Sequence, residues 1–160
     1  MIWHPDETVS GLLSLSDSAP TMPSGYTKKR LIGAIYNDSG GDIYPFNTIG
    51  LSNHRELFFS PPIQVLNSGA ETSWTDVDFS GFAPTLAEKL ILMMSSWSLT
   101  DNWKAQLRPN GITTSMHRWN FNRDVGEYEL YTSDQIIEYL NEGDGSAVTS
   151  LWLSGYSFSL

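Results

Sequence analysis

Turn-forming residues interrupt this chain at short intervals, and the runs between them are brief and rich in aromatic and β-branched side chains. Stretches 67–70 (NSGA), 109–111 (PNG), 122–126 (NRDVG), 132–134 (TSD) and 142–145 (EGDG) are all turn chemistry. Between and around them lie 55–59 (RELFF), 63–66, 72–79, 103–108, 117–122 (HRWNFN), 128–131, 135–141 and 148–158, each short enough to be one strand. In 72–79, Trp74, Val77 and Phe79 alternate imperfectly with polar residues, which predicts an edge strand or a bulge. This rhythm predicts an all-β fold, an antiparallel β-sandwich or jelly-roll-like arrangement. Pro61 and Pro62 are expected to break the strand that starts at Arg55.

One stretch reads two ways. Leu, Ala, Glu, Lys and Met in 85–97 are good helix formers, and Thr85 suits an N-cap. Yet 90–94 (LILMM) is continuously apolar, as a strand buried on both faces would be, and no other segment reads as a helix. The expectation is a strand.

At 160 residues the chain is long enough to bury a sizeable core and reads as a single domain over 1–160, with no repeat and no linker. Charged residues make up 17%, below the typical ~25%, and Ser, Thr, Asn and Gly take their place. That mix suits β-rich surfaces that meet neighbouring copies. The formal net charge of −9 argues against a nucleic-acid partner, which needs clustered Lys and Arg to displace counterions. Cys is absent, which excludes disulfides and thiolate chemistry. No apolar run is long enough to cross a membrane as a helix, and no signal-peptide pattern opens the chain.

The segment from Ser16 to Phe46 holds the most specific pattern. Pro20 and Pro23 force extended backbone, Ser24-Gly25 turns it, and Lys28, Lys29 and Arg30 supply three of the nine basic residues. Two apolar runs, 31–36 and 43–46, flank the loop 37–42 (NDSGGD) and predict a β-hairpin. A shorter hairpin is expected before it, with 1–4 and 9–15 as its strands and 5–8 as its turn.

Ser18, Ala19, Pro20, Thr21, Pro23, Ser24, Gly25 and Tyr26, then Arg30, Ile32, Gly33 and Ile35, then Asp38, Ser39, Gly40 and Ile43, form a pattern that resembles a segment of tailed-phage virion proteins. The closing Gly155-Tyr156 also fits it. The resemblance implies a β-sandwich in a tail fibre, spike or head decoration, made in the host cytoplasm and released in the virion by lysis. It implies a homo-oligomer, a trimer by the usual build of fibres and spikes, with other virion proteins and host-surface polysaccharide as partners. It brings no catalytic residues. In that family further strands precede the block, so this chain is expected to begin inside a domain.

The aromatic content offers a binding surface. Trp97, Trp103 and Trp119 lie close in sequence to Asp101, Asn120 and Asn122, and a Trp face with such hydrogen-bonding neighbours is what a sugar ring stacks on. These six are the candidate glycan or host contacts. The alternative is that the Trp residues fill the core or a subunit interface. His4, His54 and His117 have no metal-site spacing, although a trimer axis gathers one His per copy. The acidic turns 38–42 and 142–144 fit hairpin chemistry better than a Ca²⁺ loop. Glu56, Asp76, Asp78 and Glu88 are the carboxylates a glycosidase would need in pairs, but no nucleophile or phosphate-loop motif accompanies them. No enzyme activity, cofactor or metal is expected. Beside the virion reading stand two others, a lectin-like or depolymerase-associated carbohydrate-binding module and a tail adaptor that binds only other virion proteins.

Overall fold

The computed structural model describes residues 1–16, 19–50, 53–98, 104–114, 117–118, 124–142 and 146–160. Among them every regular element is a β-strand, and every named strand pair is antiparallel. The chain divides into two compact units, 1–34 with Leu160 and 35–159.

In the first unit, β1 (Ile2–Trp3), β2 (Val9–Ser10) and β3 (Lys28–Lys29) form a small sheet in the order β2-β1-β3. The opening hairpin is present, closed by Asp6, whose Oδ1 accepts the Thr8 N–H at 3.0 Å. Its second strand stops at Ser10 instead of reaching Leu15. Lys28 and Lys29 of the basic cluster form the third strand. The Met1 ammonium donates to the Arg30 carbonyl and the Arg30 N–H to the Met1 carbonyl, each at 2.9 Å. Gly25 sits at φ +89°, and a Cβ there would run into the His4 ring, which meets Tyr26 edge-on at 5.6 Å.

The second unit holds β4 (Phe46–Ile49), β5 (His54–Gly69), β6 (Thr75–Asp78), β7 (Lys89–Trp97), β8 (Lys104–Pro109), β9 (His117–Arg118), β10 (Asp124–Tyr131), β11 (Ile136–Glu142) and β12 (Val148–Ser159). A five-stranded sheet runs β10-β7-β12-β5-β4 and a four-stranded one β6-β11-β8-β9. From β5 onward the pairing is nested. β5 pairs with β12, β6 with β11, β7 with β10 and β8 with β9. The chain changes sheet at every connection in that series except the one between β8 and β9.

Period-2 alternation places one side of each sheet in the core. Leu90, Leu92 and Met94 of β7 lie in register with Tyr156, Leu153 and Leu151 of β12, and all six are buried. Ile137 and Tyr139 of β11, with Leu107 of β8 and Val77 of β6, are the large apolar side chains buried in the other sheet. The stretch that read as helix or strand is the strand β7, with apolar residues taken up on both sides. A polar clasp joins the sheets. Buried Asn141 of β11 accepts the Thr149 hydroxyl of β12 at 2.6 Å and donates to the Gly69 carbonyl of β5 at 2.9 Å.

Four sequence expectations change here, the first being the turn expected over 67–70, where β5 continues as far as Gly69. Pro61 and Pro62 do not end a strand: β5 runs through them, because β5 advances from Phe58 to Ile63 while β12 advances only from Leu153 to Gly155. That bulge leaves the prolines no ladder bond to donate. The expected hairpin of 31–36 with 43–46 shrinks to one bridge between Asn37 and Ile43, with β4 starting at Phe46. Two short strands alone lack the shared apolar face that would hold a longer ladder. Tyr36 and Tyr44 instead pack on Phe59 at 6.0 and 5.6 Å. Lastly, the turn expected over 122–126 gives way from Asp124 on, where β10 has begun in register with Ser96.

Two substitutions test this packing. A Cβ at Gly155 would strike the Leu57 carbonyl of the neighbouring strand, so Gly155→Ala should cost about 2 kcal/mol or more. Thr149→Val, which leaves Asn141 Oδ1 without its donor, should cost about 1–3 kcal/mol. Urea midpoints measure both.

Candidate functional site

The outer sides of the two sheets differ in kind. On the four-stranded sheet, Arg108 grips Glu138 with two bonds of 2.8 Å, from Nε to Oε2 and from Nη2 to Oε1. The Trp74 ring lies 3.9 Å from the Arg108 guanidinium carbon. One register step away, Gln106 donates to Glu142 at 2.9 Å and Lys104 stands 3.8 Å from the same carboxylate. These strands place opposite charges across from one another because Glu138 is paired with Arg108 and Glu142 with Lys104 in the ladder. The guanidinium bonds hold the Glu138 carboxyl below its usual range, against the opposing push of burial. The described charges of this face pair with one another.

The outer side of the five-stranded sheet carries Lys89, Met93 and Trp97 from β7, Trp152 and Ser157 from β12, and Glu127 and Glu129 from β10, as the register requires. Lys89 Nζ bridges strands, 2.7 Å from Glu129 and 3.8 Å from Glu56. The hydrogen bond to Glu129 outweighs burial and raises the Lys89 pKa. Ser157, buried, is its neighbour in the ladder on β12.

Exposed apolar side chains concentrate near the start of the chain. Among the described residues, eight of the eleven large hydrophobic residues in that class are Met1, Val9, Leu13, Leu15, Ile32, Ile35, Ile43 and Ile49. Leu13 and Leu15 are essentially bare at 79% and 105% of their reference area. Five of the eight, Met1, Val9, Leu13, Leu15 and Ile32, belong to the first unit, and Ile35, Ile43 and Ile49 to the second. The signal was present in sequence, since 9–15 and 31–35 intersperse aliphatics with Gly and Ser, without the alternation that marks a half-buried strand.

Of the candidate contacts, Trp97 is placed, 37% exposed on the outer side of β7 and in register with Val148. Asp101, Trp103, Trp119, Asn120 and Asn122 lie outside the described residues. Trp3, Trp74 and Trp152 are half-buried, so none of the four described Trp enters the core, which is built from Leu, Ile, Phe and Tyr with smaller Ala, Val and Met. Asp38 spends its Oδ1 on the N–H groups of Gly40 at 2.8 Å and Asp42 at 3.0 Å, as a turn requires. Glu56 sits on the five-stranded sheet, while Asp76 and Asp78 sit on the other, where Asp78 caps the Ser80 N–H at 2.7 Å. Glu88, just before β7, accepts from the Ser159 hydroxyl at 3.2 Å. His4 and His54 stand by Asp6 and Glu56 at 2.8 and 3.8 Å, and the His117 side chain lies outside the described residues.

Compared with models of known protein families and with characterised proteins, the sequence matches none.

The Arg108–Glu138 pair yields a pH prediction. A depressed carboxyl stabilises the fold fully above its unfolded value of 4.5 and loses that contribution as pH falls through the folded value. Glu138→Gln should therefore cost about 1–2 kcal/mol at neutral pH, and its deficit against the parent should shrink below about pH 4.5. Urea melts across pH 3 to 7 measure the difference.

Proposed function

We propose that this chain is a structural subunit of a phage virion, part of a tail fibre, spike or head decoration, which works by associating with further copies of itself. The observation that carries the reading is the set of exposed aliphatic side chains in the first unit, Val9, Leu13, Leu15 and Ile32, with Leu13 and Leu15 bare. Burying a Leu or Ile side chain is worth about 1.5–3 kcal/mol, so a set of this size left in water favours a partner that covers it. The strand order supports the same reading. Nested pairing of eight strands over two sheets, β5 to β12, is the order of a jelly roll, an architecture common in capsid proteins and lectins. Fold alone does not assign function, and the phage-like segment 18–43 supplies the rest of the argument.

The subunit is a trimer in this reading, stored in the virion after synthesis in the host cytoplasm, with other virion proteins and host polysaccharide as further contacts. A second reading, carbohydrate binding, draws on Trp97, a large aromatic surface left open on a sheet.

Sedimentation of the full chain tests the first reading. It should be a concentration-dependent oligomer, and Leu13→Ser with Leu15→Ser should raise the dissociation constant roughly tenfold or more. A monomer at every accessible concentration contradicts it. A glycan array tests the second: binding lost in Trp97→Ala supports it, and no binding to any host-type glycan removes it.

A further inference from the structure

Among the described residues of the second unit, β10 is the longest edge strand. Among the described residues it pairs with β7 alone, over eight residues without a bulge, and it contains no proline. Such an edge is a template for another strand unless charge or a kink protects it. Here the charge has one sign: 124–131 (DVGEYELY) holds three acidic residues and no basic one. Glu127 and Glu129 are exposed and, two residues apart, project from the same outer side, with Glu129 shared by Lys89.

The complementary element lies in the first unit. β3 is at the edge of its sheet, joined to β1 on one side. Its segment 27–30 (TKKR) holds three basic residues and no acidic one, in a chain whose net charge is −9. Lys28 and Arg30 are exposed, and in extended backbone their spacing puts them on one side. Two cations two residues apart thus match two carboxylates two residues apart.

We propose that the 27–30 segment of one copy adds to the β10 edge of a second copy, with Lys28 and Arg30 across from Glu127 and Glu129. This rests on the self-assembly reading above and deepens it by naming the surface. Main-chain bonds along the open edge provide affinity, and the opposite charges fix partner and register. The contact joins two different patches, so it propagates head to tail and closes as a ring when the rotation allows, as a trimer does.

The test is sedimentation of four full-length proteins, with far-UV dichroism to confirm that each is folded. Lys28→Glu with Arg30→Glu should weaken self-association roughly tenfold or more, and Glu127→Lys with Glu129→Lys should do the same. All four substitutions in one chain should restore the parent's oligomer, and added salt should weaken the parent. Folded reversal variants that assemble like the parent, or a folded fourfold variant that fails to recover, overturn this interface while the assembly reading stands. A parent that is monomeric throughout overturns both.

Discussion

The last strand of the chain occupies the middle of the larger sheet. β12 lies between β5 and β7, takes hydrogen bonds from both, and places Leu151, Leu153, Tyr156 and Phe158 in the core. The five-stranded sheet is therefore two separate ribbons, β10-β7 and β5-β4, until residues 148–159 join them. Much else follows from that placement. Gly155 lacks a side chain because β5 passes too close to admit one, and Thr149 reaches out of β12 to hold Asn141 of the opposite sheet. Pairing of β5 with β12 also makes the fold one of long-range contacts, which lowers the expected folding rate.

Around that centre the molecule treats its surfaces differently. On the outer side of the four-stranded sheet the described charges pair through the Arg108–Glu138 fork, the Trp74 stack and the Lys104–Glu142 pair. The start of the chain does the reverse and leaves Leu13, Leu15, Ile32 and Ile43 in water. A polypeptide with this charge deficit and no cysteine gains from covering such residues with another chain. That argument, more than any single residue, is why we propose a part of an assembly over a solitary binding domain.

Fold class was legible in the sequence because turn residues and short apolar runs are local signals. The two-sided burial of 90–94 identified β7 against its helical propensity, since continuous apolar residues have no polar side to show to water. What escaped was set by tertiary context. Pro61 and Pro62 looked like breakers because nothing local reveals that β12 is bulged past at that point. The hairpin of 31–46 looked secure from its turn, yet its strands found no third strand to share a face, and only the Asn37–Ile43 bridge formed. Lys28 and Lys29 became a strand because β1 lay beside them, which a charged run does not announce. Of the candidate contact set, chain order could bring Trp97 to a sheet surface, but the residue across from it there, Val148, is set by the pairing with β12.

Hydrogen exchange resolved by segment tests the central place of β12 most directly. Amides of 148–158 should be among the slowest in the protein, level with those of β7 and slower than those of the β10 edge, because their loss requires global opening. Exchange in 148–158 as fast as at a chain terminus, with β7 still protected, would contradict the account.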